Sequence, residues 1–253
     1  MLKAIFLDLD ETLCDTSGAN RKALVYMAET ARQLLGDETD THYLTDAYLN
    51  GIYRKLDERY SRLLLPIADE EAFRLQLIRL ILQDMGIASP DENVVKKLQE
   101  SFDSGRAKCF AFFPGIKELL ADLRKRFTLV VITNGPEFSQ VAKVNTVQLR
   151  DHVDHVIIGG QEKEEKPAVS IFNKALSLAQ CNKDEAIHIG DSLKSDVAGA
   201  NNSGITSVWI SHDQDLDANN PVQPVHIIEN PFEIRDLIDA LEQKMKHTSV
   251  NIQ

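Results

Sequence analysis

The strongest constraint on this chain is a change of hydrophobic period part-way along it. Beyond residue 112, short apolar runs alternate with segments of helical spacing. The runs are "TLVVITN" (128–134), the end of "HVDHVIIGG" (152–160), "EAIHIGD" (185–191), "TSVWIS" (206–211) and "VHIIE" (225–229). Between and after them, "IKELLADLRKRF", "EFSQVAKVNTVQL", "AVSIFNKALSLAQ", "SDVAGANNSG" and "NPFEIRDLIDALEQKMK" read as helices. Runs that are apolar on both faces belong to a parallel sheet covered on both sides. The alternation therefore predicts an α/β fold with a doubly wound, Rossmann-like parallel sheet. One more such run, "KAIFLD" (3–8), stands alone at the start of the chain.

Between that first strand and the rest lies a block of different texture. In "NRKALVYMAETARQLL" the residues Ala23, Met27, Ala31 and Leu34 or Leu35 fall on one side of a helix. "LTDAYLNGIYRKLDERYSRLLL" reads as helix up to Pro66, and "DEEAFRLQLIRLILQDMGI" as helix up to Gly86. In "SPDENVVKKLQESFDSG", Ser89 is placed as N-cap, Pro90 at the first helical position and Gly105 at the end. The expected organisation is an α/β core of residues 1–16 and 107–253, with an all-helical cap, 17–106, inserted after strand one. Such an insert is a natural lid over the carboxyl edge of the sheet.

Composition narrows the partners. The formal net charge of −11 argues against nucleic acid or an anionic membrane surface as the main partner. Three scattered cysteines, Cys14, Cys109 and Cys181, give no disulfide framework and point to a reducing compartment. With no membrane-length apolar stretch and no signal peptide, a cytoplasmic location is expected.

Chemistry-bearing residues gather at the predicted strand ends. Strand one ends in Asp8 and Asp10, two carboxylates that alternation would place on one face. "ITNG" ends in Thr133 and Asn134, "HIGDS" ends in Asp191 with Asp196 five residues on, and Lys166 precedes Pro167 at a helix start. Carboxylates crowded at one edge disfavour each other's ionisation unless a cation lies among them. Oxygen ligands suit magnesium, and magnesium with Lys166 can offset a phosphate dianion. A carboxylate in line with phosphorus can act as nucleophile, and a second can protonate the leaving oxygen and then activate water. The Thr133 hydroxyl and backbone N–H groups at the second strand end can hold phosphoryl oxygens.

"DLDET" (8–12), "TN" (133–134), "KP" (166–167) and "GDSLKSD" (190–196), in that order, resemble the motif set of the haloacid dehalogenase-like (HAD) superfamily. The position and length of the helical insert resemble its subgroup with a type-one cap. The resemblance implies a magnesium-dependent phosphomonoesterase acting on a small phosphate ester. It implies Asp8 as nucleophile, Asp10 as acid and base, Thr133 and Asn134 at the phosphate, and Lys166 as the neutralising cation. It puts the metal on the Asp8 carboxylate, the Asp10 backbone carbonyl and Asp191, with Asp196 in support. Dehalogenases of the superfamily lack the second aspartate, so Asp10 favours phosphoryl transfer. "DLDETLCDTSGANRKAL" and "GGQEKEEKPAVSIF" are similar to its sialic acid phosphate phosphatases, which implies a sugar phosphate substrate.

Other readings remain open at this level. The rivals are a nucleotide or phosphoglycolate phosphatase, a phosphomutase, and a binding protein that kept the fold. Taken singly, Lys166 is a surface lysine in "EKEEK", and Asp191 and Asp196 are a cap and an exposed helical acid. Ser192 reads as a cap, His188 as a packed, hydrogen-bonded core histidine, and Cys14 as a bystander. His152 and His155 lie at a helix-to-strand connection without metal spacing. Arg54, Arg59 and Arg62 are placed on one cap helix, as a solvated face or as a grip on a substrate carboxylate.

Overall fold

The computed structural model describes residues 1–55, 63 and 70–250, with residues 244–250 described by backbone alone. It divides into two compact units, Met1–Asp15 with Ala111–Gln253, and Thr16–Phe110.

The first unit is built on a six-stranded sheet. Its strands are β1 (Ala4–Leu7), β2 (Thr128–Thr133), β3 (His155–Ile158), β4 (Ala186–Gly190), β5 (Thr206–Ile210) and β6 (His226–Ile228). All are parallel, in the order β3-β2-β1-β4-β5-β6. The doubly wound sheet expected from the alternating runs is present. Strand order reverses on either side of β1, and ligands in open α/β sheets sit beyond the carboxyl ends of strands at such a switch. β1 is central and wholly buried because Ala4 to Leu7 offer apolar groups to both faces.

On one face Ala4 and Phe6 join Val130, Ile132 and Ile157. They pack with Phe172 and Ala175 of α8 (Val169–Ala179) and Ala200 of α9 (Ala198–Ser203). By alternation Ile5, Leu7, Leu129 and Val131 point the other way, and all are fully buried. α5 (Ile116–Leu123) buries Leu120 and Leu123, and α10 (Ile234–Val250) buries Ile234 and Ile238. An ion pair from Arg235 to Asp122, 2.7 Å, ties these two helices together. α6 (Glu137–Thr146) and α7 (Leu149–His152) link β2 to β3.

The second unit holds α1 (Thr16–Leu35), α2 (Thr41–Ile52), α3 (Glu70–Asp84) and α4 (Glu92–Cys109). The predicted stripe Ala23, Met27 and Ala31 is fully buried, beside Tyr48, Phe73, Leu77 and Phe102. Three boundaries differ from the sequence reading. The N-cap of α4 is Asp91, not Ser89, because its carboxylate accepts from the Asn93 N–H at 2.7 Å. Gly105 does not end that helix; a Cβ there would lie 2.6 Å from the Tyr26 ring, so glycine serves close packing. α2 stops at Ile52, and residues 56–62 and 64–66 of the stretch read as helix up to Pro66 lie outside the described residues. The Lys55 N–H returns to the Asn50 carbonyl at 2.8 Å and Arg54 turns left-handed (φ 56°), a helix-ending arrangement. Arg59 and Arg62 lie outside the described residues. No helix among the described residues is long and apolar enough to cross a membrane.

Phe172 is fully buried and meets the His188 ring edge-on, with centroids 5.0 Å apart. Phe172→Ala is expected to lower stability by about 3–5 kcal/mol, read as an earlier urea midpoint for the α/β unit. A loss below about 1 kcal/mol would mean that this face of the core does not depend on it.

Candidate active site

Four β-strands and the turns beyond them assemble the site. Beyond Leu7 the Asp8 N–H continues the ladder, donating to the Ile189 carbonyl at 2.9 Å. The chain then leaves the strand in a tight turn. Leu13 and Cys14 both donate to the Leu9 carbonyl, and Glu11 adopts a left-handed conformation (φ 58°). Asp10 therefore sits in a loop rather than on the face of a strand, and the two aspartates reach different cations.

Asp8 meets Lys166. The ammonium lies 2.5 Å from Asp8 Oδ1 and 2.7 Å from Asp196 Oδ1, and all three residues are buried. Burial works against the charge of Lys166, but Asp196 and Asp8 outweigh it and hold the lysine above its usual range. Asp196 also accepts from His188 Nε2 (2.8 Å) and, at Oδ2, from the Ser192 N–H (3.0 Å). Burial opposes ionisation of Asp196, yet Lys166 and His188 hold it well below the usual carboxylate range. The exposed-acid reading of Asp196 and the surface-lysine reading of Lys166 are both overturned. Gly190 makes this packing possible, since a Cβ on it would lie 2.2 Å from the Asp196 carboxyl carbon. His188 is the packed histidine expected from the sequence, and burial lowers its pKa.

Asp191 extends from the end of β4 and completes a cluster in which carboxylate oxygens of Asp8, Asp191 and Asp196 lie within 4.8 Å of one another. Burial, followed by the charge of Asp8, pushes the Asp191 carboxyl up to about 8. Burial likewise pushes Asp8 up to about 7, despite Lys166. Two acids so reluctant to ionise, with oxygen donors only, fit a hard divalent cation. Asp196 is occupied by Lys166, His188 and Ser192, so Asp8 and Asp191 are the carboxylates suited to that ion. Asp10 lies outside this trio.

Asn134 and Lys166 are clasped. The Asn134 amide donates to the Lys166 carbonyl (2.7 Å) and accepts from the Lys166 N–H (2.9 Å). The side chain of Asn134 thus fixes the turn carrying Lys166. Pro167 does not open the next helix, whose N-cap is Ala168. Ser192 caps the π-helical turn Leu193–Val197, accepting from Ser195 at 3.2 Å. Cys14 is buried and its thiol pKa is pushed up, first by that burial and then by Asp10. Arg54 lies past the end of α2 rather than on it, paired with Glu70 at 2.7 Å and stacked on Phe73.

Four functional neighbours escaped the sequence reading. Lys143 and Gln140 of α6 reach Asp10, and Gln140 also reaches Thr133. Trp209 of β5 donates to the Asp191 carbonyl at 2.7 Å, and a ring nitrogen of His212 lies 2.6 Å from the Glu11 carbonyl. The first pair left a signal: two polar residues three apart, on the helix that directly follows the "TNG" strand end.

Residues 5–210 match the profile of a family described as haloacid dehalogenase-like hydrolase. The chain belongs to that family. It is 24% identical over 248 residues to N-acylneuraminate-9-phosphatase of Rattus norvegicus, spanning 96% of each chain. It is 30% identical over 227 residues to glyceraldehyde 3-phosphate phosphatase of Pyrococcus abyssi, spanning 84% of this chain and 82% of the relative. Among solved structures, the HAD-hydrolase YfnB of Bacillus subtilis, bound to magnesium, superposes with a TM-score of 0.68 at 18% identity, covering 93% and 98% of the two chains. A 2-haloacid dehalogenase of Pseudomonas syringae pv. Tomato DC3000 gives 0.66 at 23% identity, with 95% and 100% covered. At these identities the two structures speak for the fold.

The raised carboxyls have a consequence for stability. The folded state holds protons on Asp8 and Asp191 that the unfolded chain releases near 3.8, so metal-free stability falls as pH rises towards 8. His188, with a lowered pKa, works in the opposite direction below about 6.5, so the decline shows cleanly above that value. In chelator, melting should come earlier at pH 8.5 than at pH 6.5, and magnesium should restore more at the higher pH. Asp191→Asn should flatten both responses. It should also remove any magnesium-induced change in the emission of Trp209, the single tryptophan. A metal-free melt that rises with pH over this window would contradict the assignment.

Proposed function

We propose that this HAD-like hydrolase is a magnesium-dependent phosphomonoesterase acting on a small phosphorylated metabolite, a sugar phosphate such as N-acylneuraminate 9-phosphate. The observation that carries the reading is the convergence of Asp8, Asp191 and Asp196, from distant segments, with a buried lysine paired to two of them. No strand end needs such an arrangement for stability, because burial holds both carboxyls up and the charge of Asp8 pushes Asp191 higher still. The phosphatases among the family relatives support the class, and the presence of Asp10 supports oxygen rather than halide as the leaving atom.

In this reading the Asp8 carboxylate attacks phosphorus, the bond from phosphorus to the leaving oxygen breaks, and Asp10 gives that oxygen a proton. Water then attacks the phosphorus of the Asp8 acyl phosphate while Asp10 takes a proton from the water. The Asp8–phosphorus bond breaks and inorganic phosphate leaves. Lys166 draws electron density from the phosphoryl oxygens and holds Asp8 in line, and Asp196 fixes Lys166. Thr133 offers its hydroxyl to a phosphoryl oxygen. Asp8, the Asp10 carbonyl and Asp191 would hold magnesium, which supplies further positive charge against the phosphate dianion.

Asp8→Asn should lower turnover of p-nitrophenyl phosphate by about 10³-fold or more, with folding retained. Chelation of magnesium should do the same reversibly. Full activity in Asp8→Asn would remove the nucleophile assignment. The substrate is tested by comparing kcat/KM on N-acylneuraminate 9-phosphate, glyceraldehyde 3-phosphate, phosphoglycolate and a nucleoside monophosphate. The two sugar phosphates should lead; preference for the nucleotide would overturn the substrate class while leaving the chemistry in place.

A further inference from the structure

We propose that Lys143 and Gln140 are positioning residues, a two-point clamp that aims the Asp10 carboxyl group at the leaving-group oxygen. The inference rests on the reading of Asp10 as the acid and base. Lys143 Nζ lies 2.8 Å from both Asp10 oxygens. Gln140 Nε2 lies 2.9 Å from Asp10 Oδ2 and 2.9 Å from Thr133 Oγ1, and also donates to the Asn134 carbonyl. One contact would leave a carboxyl group free to swing about its terminal bond. Contacts to both oxygens from two anchors set its plane.

The anchors are themselves fixed. They stand three residues apart on α6, so their side chains leave the same face of the helix. Gln140 is 2% exposed and Lys143 9%. A lysine loses rotamer freedom and hydration when it is packed this way, and an unconstrained one stays in water. Gln140 Oε1 is buried without a hydrogen-bond partner, so this amide is oriented by what its donor reaches. That donor joins the acid to the hydroxyl placed at the phosphate. The clamp thus relates the proton donor to the phosphoryl group.

The chemistry gives the clamp a signature. As the bond from phosphorus to oxygen breaks, its electron pair goes to the leaving oxygen, which takes the proton from Asp10. A leaving group that is stable as an anion departs without that proton, whereas a strongly basic one needs it. Misaiming Asp10 therefore penalises basic leaving groups selectively. The quantity that isolates this is kcat/KM, which covers steps up to the first cleavage and excludes hydrolysis of the acyl phosphate.

The test compares phenyl phosphate, with a basic leaving group, and 2,4-dinitrophenyl phosphate, with a weakly basic one. Lys143→Met should lower kcat/KM on phenyl phosphate about 10²-fold, with much less change on the dinitrophenyl ester. Lys143→Arg should recover part of the loss, since a guanidinium can also grip both oxygens. Gln140→Leu, which keeps the lysine, should show the same selectivity at smaller size and serves if Lys143→Met fails to fold. Asp10→Asn sets the full scale. Equal losses on both esters, a rise in KM on both, or no loss at all would overturn the clamp while leaving Asp10 as the acid. An Asp10→Asn variant without selectivity would overturn the reading of Asp10, and the clamp with it.

Discussion

The buried ammonium of Lys166 is the interaction on which the rest of this site depends. It lies between Asp8 and Asp196, in a place where an unpaired charge of either sign would be strongly disfavoured. Lys166 balances Asp196, so ionisation of Asp8 and of Asp191 leaves the group net negative, and both carboxyls are held up against it. A buried excess of negative charge is not a stable design for its own sake. In the proposed function the other half of the site is a divalent cation and a phosphate. His188 and the Ser192 N–H take up the remaining demand of Asp196, so that carboxylate is committed to Lys166 and is not competing for the ion.

The topology explains why these groups meet. In a parallel sheet every strand ends at the same edge, so residues far apart in sequence become neighbours once each is placed just past a strand. Strand order 3-2-1-4-5-6 puts β1 between β2 and β4. Asp8 thus has Thr133 on one side and Asp191 on the other. The two outer contributions work through backbone: Trp209 pins the Asp191 carbonyl, and His212 meets the Glu11 carbonyl. The sheet fixes which strand ends are adjacent, and hydrogen bonds from neighbouring strands and loops fix the turns.

Much of this was legible in the residues. Apolar runs such as "TLVVIT" and "AIHIG" can only be interior strands, and polar groups at their ends stand out because burial is otherwise complete. Asp8, Thr133 and Asp191 were visible for that reason, and Lys166 through the "KP" of the motif set. What stayed hidden was pairing. Asp8 and Asp10 look equivalent in "DLDET", and nothing local says that a turn at Glu11 sends them to separate partners. Lys143 looks like any charged residue on a helix, since its burial depends on Asp10, 133 positions earlier. Asn134 also clasps the backbone of Lys166, a pairing across 32 positions that nothing local announces. Helix ends erred for a related reason: Gly105 and Ser89 carry strong local signals that Tyr26 packing and the Asp91 cap override.

The separation of Asp8 from Asp10 is what lets two like residues take unlike parts in the proposed reaction. Asp8 is enclosed, shares its cation with Asp196, and is pushed upwards mainly by burial, so a second positive charge is needed to make it a ready nucleophile. Asp10 is a quarter exposed and pairs with a different ammonium, that of Lys143. In the proposed reaction it takes its part without dismantling the Asp8–Lys166–Asp196 core. Environments that differ this much over two residues are the usual means by which one scaffold divides nucleophile from acid and base. Here the division is made by a single left-handed residue, Glu11, and by two lysines carried on different segments.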